Sequence, residues 1–157
     1  MNLLFFDTNI ILYLVRALDF KGIIKFLNPD DYPVYISVAT EGEIKSLALQ
    51  HNWGVNRRNI LDNLLDQINI NEINQLQINP YIEIDSFSQR LNPGFTNYNF
   101  HTPRNMGKND LWIASLAALL GLKLITTDPD FNHLHNIFFE VNQINPLELQ
   151  SYLRLKY

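Results

Sequence analysis

Apolar residues follow two rhythms along the chain. Short, mostly apolar runs at residues 3–6, 34–38 and 122–126 have the composition of strands buried in a parallel sheet. Shorter strands are predicted at 68–70 and 137–141. Between them, apolar residues recur at helical spacing, which predicts helices over 10–18, 20–27, 41–50 and 56–68. Thr8 or Asn9 is expected to cap the first, and Ser37 or Thr40 the third. Asn28-Pro29 stops the second, and Asn52-Trp53-Gly54 turns the chain between the third and fourth. Residues 72–89 read as a helix broken or started near Pro80. Residues 91–107 are rich in Asn, Gly, Pro and Thr and read as a loop, whose length marks a functional or mobile segment. The strongest helical pattern covers 110–120 and closes at Gly121. A helical turn at 131–134 and a terminal helix over 146–155 complete the set. The alternation predicts a three-layer α/β/α domain around a central, mostly parallel sheet. It is expected to span 1–145, with 146–157 as a helical extension packed on it.

Composition narrows the class. A chain of 157 residues, 46% hydrophobic and 18% charged, suffices for one domain with its own core. It contains no cysteine, which excludes disulfides, thiolate metal sites and cysteine nucleophiles. No apolar run reaches membrane-spanning length, and no basic stretch precedes the first apolar run. The expectation is a cytoplasmic protein without a membrane partner. Sixteen acids against twelve lysines and arginines give a net charge of -4, unlike a general nucleic-acid coater. A nuclease remains compatible, because clustered carboxylates are neutralised locally by metal ions.

The candidate chemistry lies where strands end. Asp7 directly follows the first apolar run, and Asp128 follows 122–126, with Asp130 two residues on. Open α/β sheets place their sites at the carboxyl ends of strands. Glu43 falls early in the helix after the second strand, with Glu41 as its competitor, and Asp110 opens the helix 110–120. Each acid also has a structural reading: Asp7 and Asp130 as caps, Asp110 as a first-turn acid, Asp128 as a turn residue before Pro129. The signal is the set. Carboxylates gathered this closely repel unless protonated or bound to cations, and hard oxygen donors suit Mg²⁺ or Mn²⁺. One or two such ions would activate a water for attack on a phosphodiester. The four histidines form no metal motif, and His133 and His135 are expected to be structural. Trp53 and Trp112 read as core or interface aromatics, and Arg57 and Arg58 as surface residues.

These residues resemble the motif blocks of the PIN-domain ribonucleases, in particular the VapC-type toxins of type II toxin–antitoxin pairs. The blocks are Leu4-Phe5-Phe6-Asp7-Thr8-Asn9, Ser37-Val38-Ala39-Thr40-Glu41-Gly42-Glu43-Ile44, Asn109-Asp110-Leu111-Trp112-Ile113-Ala114-Ser115 and Leu124-Ile125-Thr126-Thr127-Asp128-Pro129-Asp130-Phe131. The resemblance covers residues 3 to about 141 and favours Glu43 over Glu41. It implies a Mg²⁺- or Mn²⁺-dependent endoribonuclease acting on tRNA, rRNA or mRNA. Asp7, Glu43, Asp110 and Asp128 would be catalytic and metal-binding, Asp130 would join the metal set, and Asn9, Thr126 and Asn109 would support them. It also implies a small antitoxin protein as partner and a homodimer. Arg104 and Lys108, just before Asp110, are candidates to meet a substrate phosphate. The competing functions are a non-toxin RNA-processing or DNA nuclease of the same fold, a different metal-dependent phosphoesterase, and a catalytically silent, metal-free binding module. The segments 50–68 and 91–107 look longer than minimal and would bear on substrate and antitoxin choice.

Overall fold

The computed structural model describes residues 2–153. Five parallel strands form one sheet in the order β3-β2-β1-β4-β5. They are β1 (Leu4–Phe6), β2 (Val34–Ser37), β3 (Asn69–Asn71), β4 (Lys123–Thr126) and β5 (Val141–Gln143). The helices are α1 (Thr8–Arg16), α2 (Phe20–Leu27), α3 (Val38–Gln50), α4 (Val55–Asp66), α5 (Ile78–Ser88), α6 (Lys108–Leu120) and α7 (Pro146–Leu149). The predicted three-layer α/β/α architecture is therefore the observed one.

Strand alternation divides the core. Leu4 and Phe6 point to one face with Ile36 and Ile125, against the apolar stripes of α1 to α4. Phe5 and Leu124 point to the other face, against α5, α6, Phe131 and Phe139. Both faces are covered, which is why these strands are mostly apolar on both sides.

The chain builds one half of the sheet first, β1 to β2 to β3, and then crosses over to add β4 and β5 on the other side of β1. The order of winding reverses between β1 and β4. In open sheets the crevice at such a reversal is where sites form.

The structure corrects some local expectations and decides between the alternatives in others. The cap of α1 is Asp7 rather than Thr8 or Asn9: Asp7 is extended, and its Oδ1 accepts from Ile10 N at 3.0 Å. Helix α3 begins at Val38, and of the two candidates Ser37 caps it by accepting from Ala39 N. Pro80 lies in the first turn of α5, where its missing N–H has no partner to lose; a 3-10 turn at Gln75–Gln77 leads in. The last strand is β5 rather than 137–141. Asn136 adopts φ 57°, and Leu134 O accepts from both Ile137 N and Phe138 N, so the chain is still turning there.

The 91–107 loop is packed, not loose. Phe95, Tyr98 and Phe100 surround Phe87 of α5 with ring centroids 4.6, 5.2 and 5.4 Å away. Buried Asn92 donates to Glu83 Oε2 at 2.9 Å and accepts from Gly94 N at 2.9 Å. Beyond α7, a 3-10 turn at Gln150–Tyr152 and a bridge from Ala17 to Leu153 return the chain to the α1–α2 corner. Leu149 is fully buried there. The last two residues of the expected 146–155 helix lie outside the described residues.

Candidate active site

The sheet reversal places Asp7 beside the end of β4. Phe6 is in register with Ile125, so the next residues, Asp7 and Thr126, are neighbours across the two strands. The Thr126 hydroxyl donates to Asp7 Oδ2, and the same hydroxyl accepts from Asp128 N at 2.9 Å. One threonine thus ties the two strand-end aspartates together. Asp7 Oδ1 is engaged by Ile10 N, so both oxygens of this carboxylate are fixed in position. Asp128 Oδ1 accepts from Asp130 N at 2.8 Å, closing an Asx turn into the 3-10 segment Pro129–Leu134.

Helix α6 brings Asp110 to the same edge. Gly107 precedes the helix with no side-chain cap, and a Cβ built there would meet Asp110 Oδ2 at 3.5 Å. The carboxylate therefore leans back over the open N-terminus, where the helix dipole favours a negative charge. Glu43 reaches across from α3: Asn109 Nδ2 donates to Glu43 Oε2 at 2.7 Å. Glu41 instead pairs with Lys45 on its own helix at 2.6 Å.

Electrostatics shows that the acids feel one another. Asp7, 4% exposed, has its pKa raised to about 6, chiefly by burial and further by the charges of Asp128 and Asp110; the bonds from Thr126 and Ile10 oppose the rise. Asp110 is also raised to about 6, first by burial and then by Asp128, Glu43 and Asp130. The five sequence-predicted acids therefore share one electrostatic neighbourhood. Among the described residues, however, no group of three or more His, Asp or Glu side chains is disposed to hold one ion as it stands. The fit to a hard dication lies in donor chemistry and in the repulsion such an ion would relieve; the geometry is open.

Other predicted residues take different positions. Asn9 is exposed and lines a pocket with Leu12, Tyr13, Arg16 and Thr127. Arg104 and Lys108 are exposed, and Arg104 N donates to Ser88 O at 2.7 Å. A groove of 590 Å³ runs from Glu43 along Ala39, Leu47, Ile73 and Trp112. Trp112 is half-buried and packs on Tyr81 with ring centroids 4.6 Å apart, so it is less enclosed than a core tryptophan. Buried His133 lies 2.7 Å from Ser88 Oγ through Nε2 and rests between Phe87 and Phe100. Burial, reinforced by the Arg104 charge, pushes its pKa down to about 4. Thr8 and Thr40, which the sequence offers only as helix caps, are buried residues whose hydroxyls meet at 3.5 Å between α1 and α3. Thr8 follows Asp7 directly, and that adjacency was the available signal.

Several solved structures share this fold. A VapBC2 from Rickettsia felis, bound to a DNA fragment from its promoter, matches with a TM-score of 0.70 at 19% identity, over 90% of this chain and 98% of that one. VapBC-1 from nontypeable Haemophilus influenzae matches with a TM-score of 0.64 at 23% identity, over 90% and 97%. FitAcB from Neisseria gonorrhoeae gives 0.61 at 20% identity, over 92% and 98%. No curated protein sequence matches this chain. The PIN domain family matches residues 4–136, a span that runs from the first residue of β1 past Asp7, Glu43, Asp110 and Asp128, and the chain belongs to that family.

Proposed function

We propose that this protein is a divalent-metal-dependent endoribonuclease and the toxin of a toxin–antitoxin pair. The observation that carries the chemistry is the tie between Asp7 and Asp128 through Thr126, with Asp110 and Glu43 brought to the same edge. Family membership and the fold shared with VapBC and FitAB complexes support the biological role.

In this reading Asp7, Glu43, Asp110 and Asp128 hold Mg²⁺ or Mn²⁺, with Asp130 in reserve. A bound divalent ion supplies Lewis acidity at a phosphate oxygen and a more acidic water. The protein's own work is orientation. Thr126 and Ile10 N fix the two oxygens of Asp7, and Asn109 fixes Glu43. Fixed donors need little reorganisation when the substrate arrives. Arg104 and Lys108 meet substrate phosphate, a short antitoxin covers the acidic edge, and the active form is a homodimer in the cytoplasm. No described helix is long and apolar enough to cross a membrane.

The test is incubation of the purified protein with a total small-RNA pool, with Mg²⁺ or Mn²⁺ and with EDTA, beside Asp7→Asn. Discrete fragments that require both metal and Asp7 support the reading. Cleavage that is indifferent to metal and to Asp7 overturns it, and absence of both cleavage and metal binding favours a silent binding module. The antitoxin is sought as the product of a short neighbouring gene that co-purifies with this chain and suppresses cleavage.

A further inference from the structure

A polyanionic strand approaching an acid-lined edge needs positive charge beside it. Five of the ten lysines and arginines among the described residues are engaged elsewhere, and of the other five Arg16 is the one that lines a pocket beside the acidic edge. Lys45 pairs with Glu41 and Lys123 with Glu140. Lys25 donates to Pro29 O at 2.6 Å. Arg57 lies over Trp53, while Arg90 lies over Tyr98 and donates to His101 O. Arg16, in the last turn of α1, makes none of these contacts and is exposed.

Arg16 instead lines a pocket of 190 Å³ with Asn9, Leu12, Tyr13 and Thr127. The four α1 residues follow the i, i+3, i+4, i+7 spacing and so share one helix face. Thr127 closes the other side. The pocket therefore shares two walls with the acidic centre: Asn9 lies two residues after Asp7, and Thr127 stands between Thr126 and Asp128. Its polar lining is one guanidinium, one carboxamide and two hydroxyls, with no carboxylate. That set donates hydrogen bonds to anionic oxygen, and a guanidinium grips phosphate with two parallel bonds. The volume falls below the about 300–1,000 Å³ of ordinary ligand pockets, which suits a single phosphodiester group better than a nucleoside.

We propose that Asn9, Tyr13, Arg16 and Thr127 form a phosphate-binding subsite for the RNA strand, taking a phosphodiester adjacent to the one at the acidic centre. The proposal rests on the ribonuclease reading of that centre. The contact is to backbone phosphate, so it positions the strand without reading its sequence. Arginine is suited to the place because its charge is permanent and its fork is planar.

The test is a fluorescence-anisotropy titration of labelled single-stranded RNA of mixed sequence, in Mg²⁺, over a series of salt concentrations. All proteins carry Asp7→Asn, so the strand stays intact. Adding Arg16→Gln is expected to weaken binding about 5- to 10-fold at low salt and to reduce the slope of log K against log salt by about 0.7, the release expected for one phosphate contact on a single strand. Arg16→Lys should restore the slope while recovering only part of the affinity, because it keeps the charge and loses the fork. Tyr13→Phe is expected to give a smaller loss with the slope unchanged. An unchanged affinity and slope in Arg16→Gln, with circular dichroism confirming its fold, overturns the inference, as does absence of RNA binding by the Asp7→Asn parent. An acidic protein segment as the pocket's true occupant would give that same unchanged RNA binding. Cleavage by the wild type is scored separately, so loss of the ribonuclease reading is distinguishable from loss of this one.

Discussion

At the residue scale, two of the acids proposed for the chemistry also do structural work. Asp7 caps α1 through Oδ1 and meets Thr126 through Oδ2; Asp128 closes an Asx turn through Oδ1. The cap and turn roles read from the sequence are thus observed, and they leave room for the functional role proposed for the same acids. This makes Asp7→Asn a clean probe. Asparagine caps helices as well as aspartate does, so α1 should form, while cleavage should fall by ~100-fold or more for want of a charged donor. Circular dichroism and the RNA-pool assay check the two halves of that outcome. Asn109→Ala should free Glu43 and lower cleavage less, by about 10-fold, the effect of one lost orienting bond. A rate equal to wild type would show that Glu43 needs no such support. The raised pKa values give a pH prediction of definite sign. Asp7 and Asp110 both titrate near 6 in the fold, above the ordinary carboxylate value. Their ionised forms therefore destabilise the fold, fully above about pH 6 and hardly at all below about pH 4. Asp110→Asn removes one of these charges and should stabilise the metal-free protein by about 1–2 kcal/mol near pH 7.5, with the gain vanishing toward about pH 4. His133, pushed down to about 4, works in the opposite direction, but equally in both proteins, so it cancels in the difference. Paired thermal melts across that range read the sign directly.

At the element scale, legibility followed burial. β1, β2 and β4 are central or doubly covered, and their runs, such as Leu4-Phe5-Phe6, left little choice of structure. The edge strands β3 and β5 are less buried, and β5 opens after a turn that runs through Asn136 in the left-handed region. No apolar rhythm announces such a turn, so the strand was placed too early. The same limit applied to the 91–107 loop. Its Asn, Gly and Pro content was visible, but its aromatic residues clasp Phe87, a partner outside the loop's own sequence. Of the candidate site, Asp7, Thr126 and Asp128 were legible at strand ends and Asp110 in the first turn of α6, whereas Glu43, in the second turn of α3, was separated from Glu41 only by its motif block. The Arg16 pocket was not legible, because it needs α1 and the β4 exit to be adjacent in space. The clasp has an energetic consequence. Phe100 is buried, and Phe100→Ala should cost about 3–5 kcal/mol, as for other large-to-small core changes. The loop also delivers the start of α6, through Arg104 N on Ser88 O and the open N-terminus at Gly107. The variant should therefore lose cleavage at temperatures where circular dichroism still reports a folded sheet. Loss of both signals in a single transition would show that the clasp and the site are one cooperative unit.

At the scale of the whole molecule, a chain of net charge -4 concentrates acids at one edge of its sheet, against a buried carboxylate. Left alone, that edge opposes folding through repulsion and desolvation. In the proposed reading a divalent cation would reverse the sign: bound to the ionised acids, it would add to the stability of the native state. Metal affinity should then track the ionisation of Asp7 and Asp110. Titration of Mg²⁺ or Mn²⁺ should raise the melting temperature near pH 7.5 and do so much less near about pH 5, where both acids are largely protonated and a proton must be displaced for each donor recruited. The shift should grow with the logarithm of metal concentration once the site is saturated, and should shrink sharply in Asp7→Asn and Asp110→Asn. Lys123, paired with Glu140 away from this edge, supplies the control: Lys123→Gln should leave the metal-dependent shift intact. An equal shift in wild type and both aspartate variants would place the metal elsewhere on the surface. It would detach the acids' repulsion from any catalytic use, leaving the aspartates their roles as cap and turn residues.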